Sequence, residues 1–322
     1  MPLTSFSSSI LLLAALEDYL IGDPWGWIHP VQVMGWIIQK LSDLAIKFCR
    51  RGWQRRLAGF FLGLLLIGGS GFFAWLIIFC CGMVNELLAK GIEVVLVASC
   101  FAGKSLRLAV ENVIKPLDVK DLIQARSHLS RYVGRDTDNL SVSEILRALL
   151  ETVAENTVDG VTAPLFYAII GAFSPLGAAP VALAYKAAST LDSMIGYLRE
   201  PYKDLGWFSA RFEDLLTWVP CRLTVITLSL VSGKPFQVWR ICLRDGVKDP
   251  SPNSGWSEAA YAAILGVQLG GKNTYQGIVK EKPLLGDASK SITVAEIKQA
   301  LFSTRSCFLI WLATAVIGDI LF

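Results

Sequence analysis

Residues 57 to 81, LAGFFLGLLLIGGSGFFAWLIIFCC, are 25 consecutive positions without a charge. At 1.5 Å per residue a helix of that length exceeds the roughly 30 Å hydrocarbon core of a bilayer. In lipid only a helix or a closed barrel satisfies the backbone's own donors and acceptors, so this stretch reads as a membrane-spanning helix. The rest of the chain agrees. Of its 322 residues, 53% are apolar and 18% charged, and the mean hydropathy of +0.49 is too high for an ordinary soluble enzyme. The expected fold class is therefore all-α, a polytopic integral membrane protein forming a single integral membrane domain.

About five spans are expected. Besides 57 to 81 they are 92 to 102, 161 to 185, 215 to 232 and a final run from Cys307 to Phe322. The polar loops between them, 22 to 56, 103 to 158, 186 to 214 and 233 to 302, are large and predicted to be helical. Lys40, Lys47, Arg50, Arg51, Arg55 and Arg56 precede the strongest span, and 103 to 158 and 233 to 302 are also rich in Lys and Arg. Positive-inside bias places these segments in the cytoplasm and makes 57 to 102 a hairpin. The sequence GAFSPLGAAP within 161 to 185 predicts a broken or re-entrant helix, which is tolerated where backbone lines a cavity. The N-terminal MPLTSFSSSILLLAALEDYLIG lacks the basic region of a signal peptide and is expected to be a retained first helix.

Several classes of function are disfavoured. The net charge is only +3, with basic residues interspersed among acidic ones, so nucleic acid is not an expected partner. Seven cysteines at spacings unlike those of metal ligands, with only two histidines, read as small apolar fillers. ASCFAGKS, 98 to 105, imitates a phosphate-binding loop, but it has one glycine and no βαβ framework around it. No repeat of fixed period is present.

The chemistry-bearing residues cluster. In ETVAENTVDG, 151 to 160, a helical register stacks Glu151, Glu155 and Asp159 on one face, where like charges repel unless a cation compensates. This is either a solvated acidic end of a helix or a divalent-cation site, and Mg²⁺ takes such carboxylates together with water and substrate phosphates. In 185 to 222, Lys186, Asp192, Arg211, Asp214 and Arg222 lie in or beside apolar sequence, where ionisable groups are costly unless paired or functional. In 244 to 271 a proline-broken loop holds Arg244, Asp245, Ser251, Asn253 and Ser254 ahead of a Gly- and Ala-rich helix. It can cap that helix, with Ser254 or Ser257 as cap and Glu258 in the first turn, or present donors to an anion. Asp23 and His29 stand among prolines, glycines and tryptophans near the N-terminus, a setting in which histidine is commonly structural.

Taken together, GDP with HPV (22 to 24, 29 to 31), GRDT (134 to 137), ETVAENTVDGVTAPLFY (151 to 167), YKAASTLDSMIGY (185 to 197), ARFEDLLTWVPCRLT (210 to 224) and SPNSGW (251 to 256) resemble the CobD/CbiB family of cobalamin biosynthesis. Three positions depart from the family pattern: Ser189 for Asn, Glu213 for Asp and Thr217 for Asn. The resemblance implies an integral membrane adenosylcobinamide-phosphate synthase, an ATP-dependent acid-amine ligase joining adenosylcobyric acid to (R)-1-amino-2-propanol O-phosphate. It also implies Mg²⁺ and ATP as co-substrate, a cell-membrane location with a cytoplasmic active face, and room for assembly with copies of itself or other corrinoid-pathway membrane enzymes.

On this reading the catalytic set is Glu155, Lys186, Asp192, Arg211 and Asp214. Glu151, Glu155 and Asp159 would hold the metal. Lys186, Arg211 and Arg222 would neutralise phosphate, and Asn156, Ser251 and Asn253 would orient substrate amides. Asp23, His29, Arg135 and Arg244 complete the substrate-binding set. Two rivals remain: a transporter of a small anionic solute, and an Mg²⁺-dependent alcohol-phosphate transferase.

Overall fold

The computed structural model describes residues 7 to 22, 29 to 197 and 199 to 321. In chain order the elements are α1 (Ser7–Leu20), α2 (Pro30–Phe48), α3 (Gly52–Val84), α4 (Glu86–Ala98), α5 (Gly103–Asp118), α6 (Leu122–Leu129) and α7 (Val142–Asn156). A π-helical turn (Thr157–Thr162) leads to α8 (Ala163–Ala172), α9 (Ala178–Ile195), α10 (Tyr202–Leu205), α11 (Trp207–Val231), α12 (Pro235–Arg244) and α13 (Ser254–Leu265). Strands β1 (Leu269–Tyr275) and β2 (Ile278–Leu285) precede α14 (Val294–Leu321). This is a helical membrane protein with one antiparallel hairpin, an element the sequence reading does not contain.

Three helices among the described residues, α3, α11 and α14, are long and apolar enough to cross a membrane. Two of the five expected spans fall in shorter helices. The run at 92 to 102 falls in α4, whose 13 residues extend about 20 Å. The run at 161 to 185 is split between α8, with 10 residues, and α9, which carries Lys186 and Asp192. The expected interruption is present at Phe173 to Gly177, where Gly177 has φ +88. Gly177 offers no capping side chain to α9; Glu93 of α4 reaches across and accepts from the N–H of Ala178 at 3.0 Å.

The chain divides into two compact units. The first comprises Met1–Ala102, Ala163–Thr217 and Ile310–Phe322; the second comprises Gly103–Thr162 and Trp218–Leu309. In the first unit α3 packs against α4 and α9, and Asn85 ends α3 while capping α4 through bonds from Leu87 and Leu88 N–H at 2.8 and 3.2 Å. The α3/α4 hairpin expected over 57 to 102 therefore has a local cause. Gly59 lets α3 approach α10: a Cβ there would lie 1.9 Å from the Leu205 carbonyl oxygen.

The second unit gathers the long polar segments. Ser141 and Glu144 form a capping box that starts α7. At the other end of α7, Thr157, Tyr261 and Thr304 join hydroxyls at 2.7 to 3.0 Å and fasten the π-helical turn to α13 and α14. The β1/β2 hairpin turns through Gln276 (φ 52) and Gly277 (φ 77), both in the left-handed region that a two-residue hairpin turn requires. Asp136 clamps that turn, its two carboxylate oxygens accepting from the N–H groups of Gln276 and Gly277 at 2.9 and 2.8 Å.

Candidate functional site

The chemistry-bearing side chains of the second unit converge where α7, the loop before α13 and β2 meet. Glu151 is 2% exposed. Its carboxylate accepts from the Arg135 guanidinium and, at 2.9 Å, from the Gly270 N–H. Gly270 has φ +83, and a Cβ there would lie 2.0 Å from the Pro283 carbonyl oxygen, so only glycine fits this bulged end of β1. Arg147 completes the latch by donating to the carbonyls of Gly270 and Lys272 and to Asn273 Oδ1. Arg135 reaches the same Asn273 oxygen at 2.8 Å.

The latch fixes the register of β2 and thereby delivers Lys282. Its ammonium donates to Glu258 Oε1 at 3.3 Å. Glu258 lies on α13 and is fully buried. Its other oxygen, Oε2, is buried without a hydrogen-bond partner among the described residues. Burial pushes the Glu258 carboxyl up to about 8, opposed by Lys282 and reinforced by Glu151, Glu155 and Asp249. Burial works against the charge of Lys282, but the carboxylates of Glu258, Glu155, Asp249 and Glu151 outweigh it and raise its pKa.

Glu155 stands one turn beyond Glu151 on α7. Its side chain is exposed to solvent, yet desolvation is the leading influence on its carboxyl and raises its pKa. Around it lie the charges of Lys282, Asp249, Glu151 and Arg135. Asp249 closes another side: Oδ1 accepts from Ser251 N–H at 2.9 Å and Ser254 Oγ at 3.3 Å, and Oδ2 is buried without a partner among the described residues.

The same loop holds a cation. Arg222 on α11 lies over the rings of Trp256 and Trp218, 4.5 and 4.9 Å from their centroids, and donates to Asn253 Oδ1 at 2.9 Å. No carboxylate pairs with it among the described residues. A guanidinium held flat between two indoles, with one edge on an amide, is pre-organised to grip a phosphate or carboxylate. Ser251 shapes the loop by accepting from the N–H groups of Asn253 and Ser254.

The structure separates these residues from others in the expected set. Arg135 is a latch residue rather than a substrate ligand, because its fork is committed to Glu151 and Asn273. Arg244 is likewise committed to carboxylates, bonding Asp245 at 2.5 and 3.0 Å and Asp287 at 2.8 Å, which raise its pKa. His29 caps α2, with Nδ1 accepting from Val31 N–H at 3.2 Å. Asn156 turns its amide back onto the Thr152 carbonyl at 2.9 Å. Asp23 lies outside the described residues.

Glu151, Glu155 and Asp159 are the expected metal face. Glu151 is engaged by Arg135 and Gly270, and the π-helical turn carries Asp159 off the α-helical stripe of α7. Among the described residues no three His, Cys, Asp or Glu side chains are grouped so as to hold a metal ion.

Lys186 and Asp192 on α9, with Arg211 and Asp214 on α11, belong to the first unit. There Thr217 Oγ donates to Glu213, so Tyr185, 3.1 Å away, must donate its hydroxyl to Thr217. Two of the three departures from the family pattern, Glu213 and Thr217, thus satisfy each other. The ASCFAGKS segment follows α4 rather than a strand, which removes the framework a phosphate loop needs.

Sequence reasoning missed Glu258, Asp249 and Lys282 as site residues. Glu258 reads equally well as a first-turn helix residue, and Lys282 reaches it only through a hairpin with little hydrophobic alternation.

A family model described as CobD/CbiB protein matches residues 11–304. A cobalamin biosynthesis protein CobD from a Synechocystis species is 59% identical over 92% of this chain and 87% of its own length. Another CobD, from Halalkalibacterium halodurans, is 42% identical over 90% of each chain, and a CbiB from Salmonella arizonae is 39% identical over 90% of each. No solved structure matches the chain significantly. With a match of this length and relatives this similar, the chain belongs to the CobD/CbiB family.

Proposed function

We propose that this chain is an adenosylcobinamide-phosphate synthase of cobalamin biosynthesis, acting in the cell membrane as a multi-pass protein with its reactive face in the cytoplasm. The reaction would join the carboxylate of adenosylcobyric acid to the amine of (R)-1-amino-2-propanol O-phosphate. One observation supports this most directly: Glu155 of the family motif ETVAEN and Asp249, just before SPNSGW, act on each other electrostatically, and Asn253 of SPNSGW holds Arg222, with which no carboxylate pairs among the described residues.

A free carboxylate does not acylate an amine in water unless it is activated. Attack of the carboxylate on the γ-phosphate of ATP would give an acyl phosphate and ADP. The amine then attacks the acyl carbon, the C–N bond forms, the C–O bond to phosphate breaks, and inorganic phosphate and a proton leave. In this scheme Arg222, Asn253 and the Ser251 turn take a substrate phosphate. Lys186, Asp192, Arg211 and Asp214, within the first unit, are proposed to be catalytic. The carboxylates do not fit a three-ligand metal centre, so no step is assigned to a protein-held ion. Mg²⁺ would enter with the nucleotide, whose phosphate oxygens and water supply its preferred ligands.

The test is direct. Membranes containing the protein are incubated with adenosylcobyric acid, the amino-alcohol phosphate, Mg²⁺ and ATP, and the expected product is adenosylcobinamide phosphate by mass. Its absence beside an active control overturns the assignment, and label appearing in lipid instead would identify a headgroup transferase.

A further inference from the structure

Two buried carboxylate oxygens in the second unit have no partner among the described residues: Glu258 Oε2, on a side chain 1% exposed, and Asp249 Oδ2. Both acids act electrostatically on one another and on Glu155, as does Lys282. An unpartnered buried oxygen is destabilising, and more so when charged. Two of them around one solvent-reached glutamate mark a place where donors are expected from outside the protein.

The charges say which donors. Arg135 answers Glu151, which leaves Glu155 and Asp249, joined by Glu258 when it ionises, facing the Lys282 ammonium among the described residues. The excess is negative, so the missing ligand is a cation. A metal ion would require these oxygens to converge at about 2.0 to 2.6 Å from one point, and among the described residues no such grouping of three exists. An alkylammonium has a different demand: three N–H donors pointing apart, each meeting an acceptor at about 2.7 to 3.2 Å. Separated carboxylates suit it.

The loop that carries Asp249 continues through Ser251 to Asn253, which holds the Arg222 guanidinium. One short segment therefore links the acidic group with a cation that no carboxylate pairs among the described residues. Both ends of a zwitterionic amino-alcohol phosphate would be met within that segment.

Resting on the function proposed above, we propose that Glu155, Asp249 and Glu258 form the subsite for the ammonium end of the amino-alcohol phosphate. Arg222 receives its phosphate. Lys282 is a positioning residue that holds Glu258 Oε1 so that Oε2 faces the incoming amine. The subsite would select amino-alcohol phosphates over plain alkyl phosphates and would set the amine in place before the acyl donor reacts.

The experiment measures binding rather than turnover. Purified full-length protein in detergent is titrated calorimetrically with (R)-1-amino-2-propanol O-phosphate and with isopropyl phosphate, which lacks only the amine. A charge-assisted hydrogen bond is worth roughly ten- to hundredfold in affinity, so wild-type protein is expected to prefer the amine by at least about tenfold. Glu258→Gln and Asp249→Asn should each reduce that preference below about threefold while isopropyl phosphate binds within twofold of wild type.

Variants that keep the full preference at unchanged melting temperature overturn the subsite. Should both buried variants fail to fold, Glu155→Gln, at the solvent-reached position, carries the same two outcomes. A saturable Mn²⁺ signal in electron paramagnetic resonance, lost in Glu258→Gln and unaccompanied by any amine preference, overturns it in favour of a metal. Wild-type protein that makes the amide product while Glu155→Gln retains full preference defeats this subsite alone; wild-type protein that binds neither phosphate and makes no product defeats the proposed function with it.

Discussion

Arg135→Ala gives the sharpest test of the latch between α7 and the β1/β2 hairpin. The Arg135 and Glu151 side chains are 8% and 3% exposed, so the substitution leaves a carboxylate buried with only the Gly270 N–H for company. Removing one partner of a buried ion pair costs about 3 to 5 kcal/mol, because the remaining charge is desolvated and uncompensated. Asn273 also loses one of its two guanidinium donors, keeping Arg147 at 3.1 Å. For a folded body of 150 to 250 residues, about 2 to 4 °C of melting temperature corresponds to 1 kcal/mol, so a fall of roughly 6 to 20 °C is expected. Thermal unfolding in detergent measures it, and limited proteolysis should cut first within 266 to 286. The double variant Arg135→Met with Glu151→Leu removes both charges, and its cost should be the smaller one of an unpaired Gly270 N–H, about 1 to 3 kcal/mol. A single variant melting within 2 °C of wild type, or a double variant less stable than Arg135→Ala, would refute the reasoning.

Glu258 makes stability depend on pH. Its carboxyl, pushed up to about 8 by burial, folds most readily when protonated, so its contribution is fully present below the ordinary carboxyl range and is lost as pH rises through about 8. Glu258→Gln should therefore melt above wild type at pH 9, with an advantage that shrinks as pH falls below about 8 and is lost only in the ordinary carboxyl range near pH 4; an advantage that does not change with pH contradicts the assignment. Trp256→Ala should loosen Arg222 and raise the KM for the phosphate substrate by roughly two- to thirtyfold, the range of a cation–π contact, with kcat read separately in the same assay. Gly270→Ala, which would place a Cβ 2.0 Å from the Pro283 carbonyl, should abolish the hairpin and with it activity, whereas Gly277→Ala at the open turn should cost only the strain of its positive φ.

The parts of this molecule that sequence makes legible are those with a local cause. The uncharged run at 57 to 81 is the heart of α3, and Glu151 and Glu155 share a helix in the expected register. The interruption after Ala172 follows from SPLG, and the start of α7 from Ser141 and Glu144. What could not be read depends on distant partners. GRDT offers no hint that Arg135 is turned inward to Glu151 while Asp136 holds a turn 140 positions away. The strands LGGKNTY and IVKEKPLL carry neither clean alternation nor aromatic pairs, and their one local signal is the Gln-Gly turn. That Asp159 lies in a π-helical turn could not be read, because such a turn has no distinct composition.

The hairpin latch also orders events during synthesis. Glu151 leaves the ribosome more than a hundred residues before Gly270, Lys282 and their neighbours. Until those residues emerge, the carboxyls of α7 and α13 have no lysine beside them and no strand over them, and they must remain hydrated or protonated. A nascent chain interrupted before β2 is complete would thus contain every span up to α11 yet hold an open, unneutralised acidic segment. An inserted copy that stops short of β2 would lack the latch between α7 and the hairpin, and with it the Lys282 ammonium beside Glu258.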